Sequence, residues 1–231
     1  MLNKLIFPWL IPYEIQRKKL FKKAPYGVMR DFLSVPFPSP YTAIYDTKIV
    51  AVDFETTGLN AKSDQILSVG YVRVNHSQIQ LSSCCHEIIK TRGELEAENV
   101  IIHQITDDDK AKGFEVSAVI ERLLEVLAGK VMLVHFSRIE KQFLAKVCMD
   151  LYGIAPVLPI IDTLVIGKKR LDQKGIVYSP STMRLSALRD QHKLPSHHAH
   201  NALSDALATA ELYLSQVNQF DLGDAELLKK V

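Results

Sequence analysis

The feature that most constrains the fold is a short apolar run that ends in two acidic residues. Residues 48–54 read KIVAVDF, and Glu55 follows directly after the run. An apolar run of this length with almost no alternation predicts a strand buried on both faces, in a sheet covered by helices. Because residues i and i+2 of a strand point to the same face, the carboxylates of Asp53 and Glu55 are predicted to lie side by side at the strand's carboxyl end.

These two acids form a candidate metal site. Neighbouring carboxylates repel each other, and burying them is unfavourable unless a cation compensates their charge. A hard divalent cation that prefers oxygen ligands, Mg²⁺ or Mn²⁺, has the chemistry for this. A tight turn is predicted at Thr56, Thr57 and Gly58, with backbone N–H groups near the site. The alternative interpretation is a solvated strand end that carries two unrelated acids.

The rest of the pattern predicts an α/β fold. Further strands are predicted over residues 65–74, 78–89, 131–135 and 159–162. Helical spacing of apolar residues is found over residues 115–128, 138–151, 183–191 and 202–219. Three strands followed by an alternation of strands and helices predict a mixed five-stranded sheet flanked by helices.

The amino-terminal part of the chain is basic and rich in proline. Residues 1–40 hold seven lysine or arginine residues against two acids, whereas the whole chain of 231 residues has a net charge of +2. We predict an extension over residues 1–44 with a short basic helix at 13–24, a main domain over 45–220 and a short tail over 221–231. A basic arm of this kind predicts contact with nucleic acid, an anionic surface or a protein partner.

Composition places the chain in a reducing compartment and outside the membrane. The longest apolar run of the extension, Leu5 to Ile11, is interrupted by Pro8 and is too short to span a bilayer. The odd count of three cysteines, of which Cys84 and Cys85 are adjacent, suggests neither a disulfide framework nor a metal-ligand spacing. We therefore expect a cytoplasmic protein.

A second group of candidate site residues lies between His200 and Asp205. If both residues belonged to one helix, they would point about 140° apart, because each residue turns the helix by about 100°. Asn201 is a good N-cap, which predicts that His200 lies in the preceding loop and that Asp205 projects from the first turn. A loop histidine beside a metal-binding carboxylate suits a general base. The alternative is a surface histidine in a histidine-rich turn, to which we assign His197 and His198.

Glu140 is a third candidate acid, at the start of the helix predicted over residues 138–151. It follows the predicted strand that ends at His135. One interpretation makes Glu140 a further acid of the metal site. The competing interpretation is a capping box, in which Ser137 is the N-cap and Glu140 reaches back to its N–H group.

In this order the segments resemble the DEDDh exonucleases of the ribonuclease H-like superfamily, among them the epsilon proofreading subunit of bacterial DNA polymerase III. The resemblance spans about residues 46–216 and leaves out the extension. It is carried by the segments DFETTGL from Asp53, NVIIHQIT from Asn99, HFSRIEKQFL from His135, DTL from Asp162 and HNALSDA from His200. The second motif departs from the family pattern, because Glu140 replaces an aspartate, Phe136 an asparagine and Ile139 a phenylalanine.

The resemblance implies a ribonuclease H-like fold and a metal-dependent 3′–5′ exonuclease with two Mg²⁺ or Mn²⁺ ions. It would act on the 3′ end of single-stranded DNA or RNA, with DNA favoured, and release nucleoside 5′-monophosphates. The implied metal ligands are Asp53, Glu55 and Asp205, with Glu140 supporting the second ion through water. His200 would take the proton from the attacking water. The implied substrate-binding residues are Thr56, Thr57, Leu59, His103 and His135.

Three alternatives stay open. The replacement at Glu140 is compatible with a catalytically impaired nucleic-acid-binding module on the same fold. The basic extension is compatible with an interaction protein whose working part is residues 1–44, and RNA is the second substrate class within the enzyme interpretation. A basic loop that holds Lys168, Lys169, Arg170 and Lys174 is predicted either to contact phosphates or to be a solvated charged loop.

Overall fold

A computed structural model describes residues 10–91, 103 and 105–218. The tail predicted over 221–231, the start of the extension, and most of the NVIIHQIT segment lie outside this part of the chain. Among the residues described, no helix combines the length and apolar character needed to cross a membrane.

The centre of the fold is a mixed five-stranded sheet, as predicted. Its strands are β1 (Ile49–Thr56), β2 (Ile66–Asn75), β3 (Gln78–Ile88), β4 (Val131–Val134) and β5 (Ile160–Asp162). The spatial order is β3-β2-β1-β4-β5, with antiparallel pairing from β1 to β3 and parallel pairing from β1 through β4 to β5. The strand that bears the two acids, β1, therefore lies in the middle of the sheet.

Helices cover both faces of the sheet. They are α1 (Leu10–Phe21), α2 (Val28–Ser34), α3 (Asp107–Ala111), α4 (Val116–Leu127), α5 (Arg138–Tyr152), α6 (Thr163–Gln173), α7 (Leu185–Gln191) and α8 (Ala202–Asn218). On one face, Val50 and Val52 of β1 pack with α2, α4 and α5. On the other face, Ile49 and Ala51 pack with residues of α6 and α8. Alternate side chains of β1 thus belong to two hydrophobic clusters, one on each face of the sheet.

The described part of the basic extension is packed on this body. The basic helix predicted over 13–24 is observed as α1, three residues earlier in the chain. The guanidinium of Arg17 is buried and contacts the carboxylate of Glu14 and the carbonyl oxygen of Leu33. Phe32 and Phe37 join the main core with edge-to-face ring packing. The proline-rich segment at residues 36–40 contains no regular element, although Phe37 within it is buried.

One glycine of β2 allows the last helix to pack closely on the sheet. Gly70 pairs with Asp53 across the β1–β2 ladder. A β-carbon at Gly70 would lie 2.1 Å from the carbonyl carbon of Ala202 and 2.2 Å from the nitrogen of Leu203. The missing side chain therefore lets the first turn of α8 approach the backbone of β2 directly. This contact brings α8 to the carboxyl-terminal half of β1, where the two acids lie.

Candidate active site

Three carboxylates meet at the carboxyl end of β1. Asp53 and Glu55 are two residues apart on the strand, and Asp205 projects from the first turn of α8. One oxygen from each lies within 4.8 Å of the others. The three acids therefore lie together, as predicted: the two-residue period of β1 places Asp53 beside Glu55, and the start of α8 brings Asp205 to them.

The carboxylates of the cluster repel one another, and this repulsion is seen in the pKa values of Asp53 and Asp205. Burial raises the pKa of Asp53 well above its ordinary value, and the charges of Glu140, Asp205 and Glu55 raise it further. Burial and the charge of Glu55 likewise raise the pKa of Asp205, against the opposing effect of His197 and of the His200 N–H group. Such a group is unfavourable without a compensating cation.

Glu140 lies behind the three acids rather than at the helix end. Its side chain is buried, on a helix that packs against β1. Ser137 makes no side-chain capping hydrogen bond, so the capping-box interpretation is wrong. The helix instead turns Glu140 inward, because it lies on the same face as the core residues Phe143 and Leu144. Burial raises the pKa of Glu140 to about 8, and the charges of Asp162 and Glu55 also raise it.

The donor set fits a hard divalent cation. All four acids offer oxygen atoms, which suit Mg²⁺ and Mn²⁺. The Oε2 atom of Glu140 is buried and finds no hydrogen-bond partner among the residues described. A bound cation, directly or through water, would satisfy this atom and compensate the repulsion between the acids.

His200 lies in the loop before α8, as predicted. It has a left-handed backbone conformation with φ of 65°, and its N–H group donates to Asp205 Oδ2 at 2.8 Å. The Asn201 side chain accepts the N–H of Ser204 at 3.1 Å, which confirms the predicted cap. The His200 ring lies 6.3 Å from the ring of His103. His103 Nδ1 is 2.6 Å from Glu55 Oε2, so His103 also borders the acids.

His197 was assigned to a turn outside the site, and this assignment is wrong. Its Nε2 atom lies 2.8 Å from Asp205 Oδ1, and both side chains are nearly buried. The loop folds back because buried Arg189 donates to the carbonyl oxygens of Pro195 and Ala208. The only sequence signal was its position three residues before His200, which is too weak to distinguish it from its exposed neighbour His198.

The predicted substrate-binding residues occupy several places around the acids. Thr56 and Thr57 form hydrogen bonds within the turn after β1: the Thr56 hydroxyl donates to the Gly58 carbonyl oxygen, and the Thr57 hydroxyl accepts the Gln65 N–H. Leu59 is 73% exposed, which leaves its side chain available to a ligand.

His135 is tied into the protein by both ring nitrogens. Nδ1 lies 2.8 Å from Thr163 Oγ1, and Nε2 lies 3.0 Å from the carbonyl oxygen of Met183. Because a carbonyl only accepts, Nε2 carries the hydrogen. Burial lowers the pKa of His135, which favours the neutral ring. His135 therefore joins the end of β4 to the segment before α7 and lines the cavity as part of its wall.

Of the predicted substrate-binding residues, His135 lines an open cavity of about 640 Å³ beside the acids. The cavity is lined by residues of the candidate site, by apolar side chains and by the polar residues Arg184 and Ser186. The full set is Asp53, His135, Phe136, Leu164, Pro180, Met183, Arg184, Leu185, Ser186, His197, Ala199, His200 and Asp205. A cleft with a carboxylate cluster at one end and an apolar wall beside it has the form of a binding site for a ligand that is both charged and aromatic.

Sequence comparisons agree with this arrangement. The RNase T family model, described as exonuclease, matches residues 50–213. The chain is 28% identical over 186 residues to DNA polymerase III PolC-type of Thermotoga maritima, and the match covers 80% of this chain and 12% of that protein. It is 24% identical over 186 residues to the 3′-5′ exonuclease DinG of Staphylococcus haemolyticus, covering 80% of this chain and 20% of that protein. The chain thus spans a small part of the length of these relatives.

Solved structures share the fold. The nuclease domain of 3′hExo, a DEDDh family member bound to rAMP, superposes with a TM-score of 0.63 at 16% identity, over 76% of this chain and 94% of that one. E. coli Exonuclease I in complex with a 5cy-dT13 oligonucleotide superposes with a TM-score of 0.64 at 15% identity, over 79% of this chain and 42% of that one. Because the family model matches residues 50–213, more than half of the chain, the chain belongs to the RNase T family of exonucleases, in agreement with the resemblance to exonucleases seen in the sequence.

Proposed function

We propose that this chain is a metal-dependent exonuclease that removes nucleotides from the 3′ end of single-stranded nucleic acid, with DNA favoured over RNA. The observation that carries the proposal is the meeting of Asp53, Glu55 and Asp205 beside His200 in an open cleft. The product would be a nucleoside 5′-monophosphate.

The metal-binding part of the proposal rests on the oxygen donors. Asp53, Glu55 and Asp205 would hold one Mg²⁺ or Mn²⁺ ion, and Asp53 and Glu140 would support a second. When bound, such ions place positive charge against the phosphate oxygens and make the attacking water more acidic. Both effects are needed because hydrolysis of a phosphodiester builds negative charge on the phosphate oxygens.

The protein's own groups supply proton transfer and orientation. His200 is exposed in its loop, so its ring can reach a water in the cleft and remove a proton from it. The hydrogen bond from the His200 N–H group to Asp205 Oδ2 keeps the proposed base close to the acids. His103, in contact with Glu55, and His135, in the cavity wall, would border the terminal nucleotide with Thr56, Thr57 and Leu59.

Similar proteins support DNA as the first and RNA as the second candidate substrate. The polymerase and Exonuclease I relatives support DNA, since one is named as a DNA polymerase and the other is bound to an oligothymidylate. The structure bound to rAMP supports RNA as the second candidate. A cytoplasmic location, and an anionic or protein partner for residues 1–44, remain part of the proposal. The exposed lysines Lys18, Lys19, Lys22 and Lys23 suit an anionic partner.

The test uses single-stranded DNA and RNA of the same sequence, labelled in turn at the 5′ and the 3′ end, with Mg²⁺, Mn²⁺ or chelator. We expect the 5′-labelled strand to shorten into a ladder and the 3′ label to be released first as a mononucleotide. Asp53→Asn, which keeps the shape of the side chain, should abolish the ladder while the fold is retained by circular dichroism.

Two outcomes would contradict the proposal. Release of the 5′ label first would show that the strand is degraded from its 5′ end. Binding of the strand without cleavage under either cation, with cleavage appearing only in Glu140→Asp, would support the alternative of a catalytically impaired binding module.

A further inference from the structure

Phe136 is held in an unusual backbone conformation at the edge of the cleft. It lies between β4 and α5 with φ of 69°, in the left-handed region that bulky residues rarely adopt. Its side chain is 45% exposed and lines the cavity together with Asp53 and His200. A strained backbone at a ligand cleft is maintained when the surrounding structure determines it, and it points to a role for the side chain.

Asp162 is the residue that determines this conformation. Its buried carboxylate accepts the N–H groups of Phe136 at 3.0 Å, Ser137 at 2.8 Å and Leu164 at 2.9 Å. Asp162 ends β5, which pairs with β4 beside it. Two of these three hydrogen bonds therefore tie the turn to the sheet, and they fix the backbone of Phe136 at the edge of the cleft.

The ring has no packing role that would explain its presence. Phe143 and Leu144 of the following helix are core residues, whereas Phe136 is absent from the described apolar core clusters. Leaving an aromatic ring half exposed forfeits the stabilisation that burial would bring. Its side chain is better explained by a ligand than by the fold.

We infer that Phe136 is a stacking platform for a nucleobase of the strand bound in this cleft. This inference rests on the proposed function, because it takes the ligand to be a single-stranded nucleic acid. Stacking on an aromatic ring is available to every base, since each has a π face. Phe136 would therefore strengthen binding without selecting a base, and it would act on one nucleotide position of the strand.

The experiment measures binding of fluorescein-labelled oligothymidylate in Ca²⁺ by anisotropy, with a single abasic site moved along its last nucleotides. For wild type we expect one abasic position to weaken binding by about 5- to 150-fold, the range that one stacked base contributes. Phe136→Ala should bind the intact strand that much more weakly and should be insensitive to the same abasic position. Phe136→Tyr, which keeps a ring, should restore both.

The control variant is Phe114→Ala, which removes a ring of similar exposure (53% against 45% for Phe136) outside the cavity. It should leave the abasic profile of wild type unchanged. Phe136→Gly removes the ring and also the backbone strain, because glycine adopts a positive φ freely. A melting temperature of this variant no lower than that of wild type would show that the ring is not needed for the stability of the fold.

The outcomes separate this inference from the exonuclease proposal. If the abasic site weakens binding by the same factor in wild type and in Phe136→Ala, the stacking inference is wrong, even if the wild-type protein shortens the strand. Coupling between the abasic site and Phe136, with no shortening under Mg²⁺ or Mn²⁺, would support stacking and contradict the exonuclease. Absence of measurable oligothymidylate binding by wild type would overturn the stacking inference.

Discussion

His197 and His200 hold the same carboxylate from its two oxygens. His197 Nε2 lies 2.8 Å from Asp205 Oδ1, and the backbone N–H of His200 donates to Asp205 Oδ2 at 2.8 Å. With both oxygens engaged, Asp205 has one orientation relative to Asp53 and Glu55. The loop before α8 thus orients one of the three acids that we propose as metal ligands.

His197→Ala is expected to reduce activity without removing any proposed ligand. Residues that orient metal ligands typically contribute about 10- to 100-fold in metal affinity or activity. We expect the initial rate as a function of Mn²⁺ concentration to show weaker activation and a shift to higher concentration. His198→Ala, at the exposed neighbour, is the matched control. Identical Mn²⁺ curves for the two variants would contradict the orienting role.

Gly70→Ala tests the approach of α8 to β2. The new β-carbon would overlap the backbone of Ala202 and Leu203, which cannot move aside as a flexible side chain could. We expect a loss of about 1–3 kcal/mol in the free energy of unfolding, measured by urea denaturation, and a loss of activity because Asp205 shifts.

The control for that variant is Gly153→Ala, where φ is 69° and the β-carbon would meet no atom within 4 Å. It carries only the conformational cost of about 1–2 kcal/mol. Its activity should remain, since Gly153 ends α5 at the helix terminus away from Glu140. Full activity in Gly70→Ala would show that the acids tolerate displacement of α8.

Arg189→Met is expected to loosen the histidine loop. The guanidinium bridges the carbonyl oxygen of Pro195, the carbonyl oxygen of Ala208 and the carboxylate of Glu211. Its removal leaves buried acceptors without a donor, a cost of about 1–3 kcal/mol for each such group. Hydrogen exchange should become faster in residues 194–201 than in β1. Glu211→Gln, which leaves both backbone contacts, should change this exchange little.

The stability of the metal-free protein should depend on the pH through Glu140. Folding raises the pKa of Glu140 from its ordinary value of 4.5 to about 8, so the folded state binds a proton more tightly than the unfolded state. The resulting stabilisation is fully present below about pH 4.5 and is lost as the pH rises through about 8. With chelator present, the melting temperature should therefore fall between about pH 5 and pH 8 and level off above it.

Glu140→Gln should make this slope shallower, because glutamine carries no charge at either pH. Asp53, whose pKa is also raised, should account for the slope that remains. Asp150→Asn, at an exposed acid on the same helix, is the control and should keep the wild-type slope. An unchanged slope in Glu140→Gln would mean that another group is responsible for the pH dependence.

Much of the site follows from local geometry. The period of two along β1 places Asp53 and Glu55 on one face, and the N-cap at Asn201 separates His200 from Asp205. Both relationships join residues within a few positions of each other, so the sequence alone was sufficient to predict them. The five strands could be predicted for the same reason, and their mixed arrangement was predicted from the order in which strands and helices follow each other.

Tertiary contacts decided what local rules left open. Glu140 had the spacing of a capping box, and it is buried instead because the core side of α5 packs against β1. His197 reaches Asp205 only because Arg189, on a different helix, holds the loop. The sequence by itself determined which acids share the end of one strand and the start of one helix, since short-range backbone geometry sets these directions. Only the tertiary structure decided which side chains surround them, because those contacts join distant segments whose packing no local pattern encodes.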